Sequence, residues 1–282
     1  MSLLITACII TKNEESNIVR CLESLSFCSE IILVDSGSTD RTLELANRFG
    51  VKIFHRDFDN YIAQKNYAIS LASNAWILSV DADEVVSPDL RSEIEALDFD
   101  SDLIQAYSMP RLSFYLGRWI YHGGWYPNTQ TRLFHKSSGK FSGILVHETV
   151  EISGKTEALK SPLHHYSYKS ISDHLNFIDR YSTLFALENY RKGRRATVFK
   201  ACYKGLYKFF WMYLGRLGFL DGQIGIVIAI LGSYYNFLKY LKLYELEKNP
   251  SLASSFLVMI DPIHHIESQE SSQKDSNQVD VR

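Results

Sequence analysis

The stretch Ile77-Leu78-Ser79-Val80-Asp81-Ala82-Asp83-Glu84-Val85-Val86 passes from apolar residues into three carboxylates and back to apolar residues. Its first half reads as the end of a buried strand, so Asp81, Asp83 and Glu84 crowd together where that strand leaves a core. Two carboxylates about 5 Å apart repel by roughly 3 kcal/mol at an effective dielectric near 20, a cost that burial alone does not recover. The cluster therefore demands a positive partner, and the expectation is one from outside the chain.

Upstream, short apolar runs alternate with amphipathic segments. The runs L-L-I-T-A-C-I-I (3–10), E-I-I-L-V-D (30–35), V-K-I-F-H (51–55) and W-I-L-S-V-D (76–81) are rich in β-branched residues, as strands buried on both faces should be. Helices are expected between them, over 16–25, 39–49 and 61–72. This alternation predicts an α/β fold with a mostly parallel sheet, whose carboxyl edge is where ligands bind. Polar residues cluster there: T-K-N-E-E (11–15) follows the first strand and V-D-S-G-S-T-D (34–40) the second. Gly37 suits a tight turn and Ser38 or Thr39 a helix cap, which would leave the Asp35 carboxylate free to accept the imino proton of a pyrimidine base.

Past Leu97 the chain turns to mixed aromatic and basic segments, then to a helical pattern in which Leu175, Ile178, Tyr181 and Phe185 recur at spacings of three and four. From Ser251 onward periodicity is lost, and the polar run E-S-Q-E-S-S-Q-K-D-S-N-Q predicts a disordered tail. The organisation read from these changes is an α/β domain over 1–168, a helical region over 169–250 and a tail over 251–282.

The 282 residues are 46% apolar and 13% aromatic with a net charge of −2, which gives no basis for nucleic-acid binding. Cys8, Cys21, Cys28 and Cys202 form no C-x-x-C pair, as suits buried thiols in a reducing compartment. Ile5-Thr6-Ala7-Cys8 imitates a lipoprotein cleavage box but follows no basic region, so a first strand is expected there.

An acidic pair flanking one small residue at a strand end can hold a divalent cation whose remaining positions go to substrate phosphates and water. The same residues also make a good solvated turn before the helix start Ser87-Pro88-Asp89. Context favours the cation. T-A-C-I-I-T-K-N-E-E, I-I-L-V-D-S-G-S-T-D, Q-K-N-Y-A-I and S-V-D-A-D-E, in this order and spacing, resemble the inverting nucleotide-sugar glycosyltransferases of family 2, which adopt the GT-A fold. G-G-W-Y-P-N-T-Q-T-R-L-F (123–134) and V-H-E-T-V-E (146–151) look like the subgroup that adds glucose to the inner-core heptose of bacterial lipopolysaccharide.

That resemblance implies roles. Thr11, Glu14 and Lys65 would line the nucleotide site, Asp35 would recognise uracil, and Asp81 would contact ribose or metal-bound water. Asp83 would ligate Mg2+ or Mn2+, with His165 as a second contact to metal or diphosphate. Glu148 would be the general base, with His147 beside it at the acceptor as the rival, since adjacent strand residues point to opposite faces and only one can easily face the sugar. Trp125, Tyr126 and Arg132 would meet the acceptor sugar or its phosphates. The donor implied is a UDP-sugar, UDP-glucose first, and the acceptor a lipid-linked saccharide.

Between Arg191 and Arg216 there are several Lys and Arg and no Asp or Glu. Phe199, Tyr203, Leu206, Phe210, Tyr213 and Leu217 share one helical face, with Lys200, Lys204 and Lys208 turned away from it. Such a helix either lies on an anionic membrane surface or packs its aromatic stripe inward. The uncharged stretch 223–238 is short for a membrane span and reads as a buried or shallowly inserted helix. These features together predict a cytoplasmic protein, peripheral on the inner face of the cytoplasmic membrane. Two rival readings use the same features: a transferase that loads sugar onto polyisoprenyl phosphate, and a non-catalytic membrane-associated scaffold.

Overall fold

The structure, a computed structural model, describes residues 3–99, 103–144 and 147–253. They divide into two compact units, Met1–Tyr121 with Trp125–Ser167, and His122–Gly124 with Tyr168–Arg282.

The first unit opens with β1 (Leu3–Thr11), α1 (Ile18–Ser24), β2 (Cys28–Asp35), α2 (Thr42–Ala46) with a 3-10 turn Asn47–Phe49, β3 (Lys52–His55), α3 (Tyr61–Ser70) and β4 (Trp76–Asp81). β1 pairs in parallel with both β2 and β4, and β2 with β3. Alternation along β1 divides the interior. Ile5, Ala7 and Ile9 join Ile18, Leu22 and Leu90 on one face, while Cys8 joins Ala68, Ile77 and Phe134 on the other. Both faces of the strand are therefore dry, which is why its sequence shows no polar alternation.

β5 (Glu84–Val86), α4 (Pro88–Glu95), β6 (Ala106–Tyr115), β7 (Arg118–Ile120) and β8 (Asn128–His135) follow. Next come β9 (Gly139–Ile144), β10 (His147–Ile152), β11 (Thr156–Ala158) and β12 (Leu163–His165). The main sheet has the order β3-β2-β1-β4-β8-β6-β12-β5, with β7 and β11 on β6, and it is antiparallel at β4–β8 and β8–β6. β9 and β10 form a separate two-stranded ribbon. This is the mixed, mostly parallel sheet of the GT-A fold. Its register aligns Thr11 with Asp35, Asp35 with His55, and Ile10 with Asp81, so four strand ends meet along one edge.

Beneath the sheet's opposite edge, the carboxylate of Glu30 accepts bonds from Thr6 Oγ1 at 2.5 Å, Lys52 Nζ at 2.6 Å, and the backbone N and Oγ of Ser73, each at 2.8 Å. Cys8, Cys21 and Cys28 are buried; Cys202 is exposed, contrary to the expectation for all four, because it lies on the outward side of its helix.

The second unit contains α5 (Ile171–Arg191), α6 (Val198–Phe210) with a π-helical turn Trp211–Gly215, and α7 (Gly222–Lys248). Glycine lets these helices close up. A Cβ on Gly205 would meet Phe237 Cβ at 3.1 Å, and one on Gly225 would fall 1.8 Å from the Gly218 carbonyl oxygen. The aromatic stripe of α6 faces outward: Phe199 is 82% and Leu206 62% exposed, with Tyr203 and Phe210 exposed beside them. The helix around 223–238 runs longer than its uncharged stretch. The helical run Gly218–Lys248 is the one among the described residues long and apolar enough to cross a membrane, and only 17% of its most apolar stretch is buried. The expected tail lies almost wholly outside the described residues.

Burial opposes ionisation of Glu30, but its bonds to Lys52, Thr6 and Ser73 win and bring its carboxyl from 4.5 down to about 2. A depressed carboxyl stabilises the fold fully above its unfolded pKa and loses that contribution as pH falls toward the folded value. Between pH 6 and pH 3 the wild-type protein should lose about 2 kcal/mol through this group. Urea unfolding of Glu30→Gln at the two pH values should show that part of the acid loss removed.

Candidate active site

The positive charge demanded by the acidic turn comes from three distant segments of the chain itself. Asp81, the last residue of β4, has Lys65 Nζ at 2.9 Å from Oδ1 and Arg132 Nη2 at 2.6 Å from Oδ2. Glu84 is fully buried; its Oε1 accepts from Arg132 at 2.6 Å and Arg111 at 3.2 Å, and its Oε2 accepts from the Asp81 backbone N at 3.0 Å. Burial disfavours the Asp81 charge, yet Arg132 and Lys65 hold its carboxyl far below the usual range. Burial likewise opposes the Arg132 charge, and Asp81 and Glu84 overcome it, raising its pKa further.

Three expectations change accordingly. Arg132 is buried and committed to two carboxylates, so it is a structural counter-ion rather than a surface cation awaiting acceptor phosphates. Lys65 is also buried, and its ammonium bridges Asp81 and Glu148 rather than standing open to a diphosphate. Asp81 has both oxygens in ion pairs, which turns it away from a role as an unencumbered ligand.

Asp83 is the member of the turn that points elsewhere. Its Oδ2 lies 3.2 Å from His165 Nε2, and both side chains are partly exposed. β12 pairs antiparallel with β5 so that His165 sits opposite Glu84, and the Tyr166 N–H donates to the Asp83 carbonyl at 2.9 Å. One carboxylate and one imidazole suit Mn2+ or Mg2+ when the remaining ligands are phosphate oxygens and water. Among the described residues no third His, Cys, Asp or Glu joins them, which fits a cation carried largely by its substrate. The neighbouring His164 packs instead on Trp119, ring centroids 4.2 Å apart, where burial lowers its pKa.

Along the same edge, the loops after β1 and β2 are knitted together. Asn13, in a left-handed conformation at φ 57°, donates from its N–H to Ser38 Oγ at 2.9 Å, and its Oδ1 accepts from Thr39 N at 2.8 Å. The Glu14 N–H donates to Thr42 Oγ1, and the Glu14 carboxylate accepts from Asn17. Asp35 is buried and not free: Oδ2 accepts from the Gly37 and Ser38 N–H groups at 2.9 Å each, and Oδ1 from Ser38 Oγ at 2.5 Å. Ser38 therefore serves this turn and Thr39 bonds to Asn13, while α2 has Arg41 as its N-cap, without a side-chain cap bond. Thr11 is buried next to Asp35 in register, and its hydroxyl has no hydrogen-bond partner among the described residues. His55 lies 4.0 Å from Asp35 and is largely exposed at the same place.

Glu148 is carried by β10 on the separate ribbon. Its Oε1 accepts from Lys65 at 3.3 Å, and it lines a cavity of about 390 Å³ together with Lys65, Asp81, Arg111, Arg132 and Phe141. Strand alternation puts residues 148, 150 and 152 on one face, and Val150 and Ile152 pack toward the Ile77–Phe134 core. His147 begins β10; its side chain lies outside what is described. Trp125 packs on Tyr115 at 5.4 Å and Tyr126 on Tyr121 at 5.9 Å, each half-buried, in a segment with a cis Tyr126–Pro127 bond. Glu84 as the keystone, Arg111 and Asn66 went unassigned in the sequence, since their partners are 27 to 75 residues away.

Comparison with known proteins identifies the family. Residues 6–147 match the model of glycosyl transferase family 2. An uncharacterized glycosyltransferase of Rickettsia conorii is 30% identical over 86% of this chain and 90% of its own. The lipopolysaccharide core biosynthesis glycosyltransferase LpsC of Rhizobium meliloti is 28% identical over 86% of this chain and 92% of its own. Among solved structures, glucosyl-3-phosphoglycerate synthase from Mycobacterium tuberculosis, crystallised with Mn2+, UDP and glucosyl-3-phosphoglycerate, aligns at 22% identity with a TM-score of 0.31, over 40% of this chain and less than half, 44%, of that one. The chain belongs to glycosyl transferase family 2.

Proposed function

We propose that this family 2 enzyme is an inverting, divalent-metal-dependent transferase that moves a hexose, glucose first among candidates, from a UDP-sugar to a lipid-linked saccharide such as the lipopolysaccharide inner core. The observation that carries the reading is the asymmetry of the carboxylates. Asp81 and Glu84 are neutralised by buried cations, Asp83 stands beside His165, and Glu148, on its own ribbon, lines the cavity that Asp81 also lines.

Uracil and ribose would lie on the edge where Thr11 and Asp35 stand in register, beside Glu14. Asp83 and His165 would hold Mg2+ or Mn2+, which when bound offsets the negative charge of the departing diphosphate. Glu148 accepts the proton of the acceptor hydroxyl as that oxygen attacks the anomeric carbon from the side opposite the leaving group. One base across from one leaving group gives inversion in a single step, and such a base contributes about 10² to 10⁴ in rate. Trp125 and Tyr126 offer ring faces to the acceptor sugar. The likeness to a relative named for lipopolysaccharide core biosynthesis supports the acceptor class.

Lipid-linked acceptors are extended at a membrane surface, and the exposed stripe of α6 supports docking there. Phe199, Tyr203, Leu206 and Phe210 present rings and branches outward, on a segment from Arg191 to Arg216 whose charged residues are all Lys or Arg, as suits anionic headgroups. The protein would then act from the cytoplasmic face of the inner membrane.

Isothermal titration with UDP-glucose, UDP-galactose, GDP-mannose and ADP-heptose in the presence of Mn2+ should show binding of a UDP-hexose. Turnover of that donor should fall about 10² to 10⁴-fold in Glu148→Gln with its affinity retained. Binding of none of the four, or full turnover in Glu148→Gln, overturns the reading.

Sedimentation with vesicles containing phosphatidylglycerol should bring down the wild-type protein. Leu206→Asp should weaken that binding about tenfold or more, the loss expected when one buried Leu becomes a charge. Equal binding by both proteins would remove the α6 stripe from the membrane contact.

A further inference from the structure

We propose that Asn66, together with Lys65, is a positioning residue that sets the reach of Glu148 into the active site; the proposal rests on the reading of Glu148 as the base. Among the described residues the ribbon β9–β10 shares no hydrogen-bond ladder with the main sheet, so its strands alone do not fix where Glu148 stands. Its start is tied by Ser138 Oγ, which donates to Gln105 Oε1 at 2.7 Å, and nearer Glu148 α3 supplies two polar links. The Asn66 side chain clamps one residue of the ribbon at both backbone groups: Nδ2 donates to the Phe141 carbonyl at 2.9 Å, and Oδ1 accepts from the Phe141 N–H at 3.0 Å. One turn position earlier, Lys65 Nζ reaches Glu148 Oε1 at 3.3 Å and Asp81 Oδ1 at 2.9 Å, and lies 5.2 Å from the centre of the Phe141 ring.

The clamp sits close to the base. Phe141 pairs with Val150 in the ribbon, and Glu148 with Gly143, so clamp and carboxylate are separated by one two-residue step of the ladder. Gln64, the preceding residue, is fully buried and its amide donates to Ser36 Oγ at 2.7 Å and to the Arg56 carbonyl at 3.0 Å. The tripeptide Gln64-Lys65-Asn66 on α3 thus joins the loops after β2 and β3, the end of β4 and the base-bearing ribbon through three successive side chains.

Without Asn66 the middle of the ribbon keeps the single Lys65–Glu148 contact and the apolar packing of Phe141, Val150 and Ile152, which together are less directional than a paired amide clamp. A displacement of about 1 Å at a reacting group costs on the order of 100-fold in rate. Asn66 touches neither the acidic turn nor the loops after β1 and β2 in any bond described above, so its loss should spare donor binding.

The test is a double-mutant cycle in transfer from the UDP-hexose that binds. Asn66→Ala should lower kcat about 10- to 100-fold while KM for the donor and the affinity for UDP change less than about twofold. In the Glu148→Gln background the same substitution should have no further effect beyond about twofold, because the group it positions is gone. Lys65→Arg should retain more transfer than Lys65→Met. Thermal melting and UDP titration establish that each variant is folded, and Asn66→Asp, which keeps only the bond from the Phe141 N–H, serves if Asn66→Ala does not fold. An unchanged kcat in Asn66→Ala, or an undiminished effect in the Glu148→Gln background, overturns the positioning role. Full activity in Glu148→Gln alone overturns the base assignment, and this proposal with it.

Discussion

The buried pairing of Arg132 with Asp81 and Glu84 is the constraint on which the rest of the site depends. Three carboxylates in four residues would push a strand end apart, and a guanidinium at 2.6 Å from two of them makes the turn possible. Desolvating such a cluster is expensive, and it is tolerated only where geometry is good and every charge has a partner. The arrangement also sorts the carboxylates. Two become structure, and Asp83 is left at the surface of the edge beside His165.

The same economy extends across the cavity. Lys65 is shared between Asp81 on the sheet and Glu148 on the ribbon, so the acidic turn and the proposed base are linked through one buried ammonium. The ribbon itself is not part of the sheet, and this separates two demands. The parallel strands hold the proposed nucleotide edge through their shared ladders, while the ribbon can be placed by a few side chains of α3. The element that carries the proposed base is then held by core packing of Phe141, Val150 and Ile152 together with local polar contacts.

Much of the α/β architecture was legible because strands buried on both faces announce themselves as uninterrupted β-branched runs; β1 to β4 fall within about two residues of the runs 3–10, 30–35, 51–55 and 76–81. The chemistry-bearing loops were visible for the same reason, since polar residues directly after such runs must lie on the carboxyl edge. The charge partners were not visible. Arg132 looked like an available surface cation because its partners lie 51 and 48 residues away, and no local pattern marks a pair that forms only when β8 comes beside β4. Asp35 illustrates a second limit: a short side chain after a strand can bond its own turn as readily as a ligand, and here Gly37 and Ser38 claim it. The amphipathic period of α6 defined a stripe, but periodicity does not say whether that stripe faces protein or solvent.

The division of labour within the acidic turn can be read directly by electron paramagnetic resonance of Mn2+ titrated into the protein with UDP. The account predicts a protein-bound Mn2+ signal that requires UDP and disappears in Asp83→Ala. A bound signal of undiminished intensity in Asp83→Ala would contradict it.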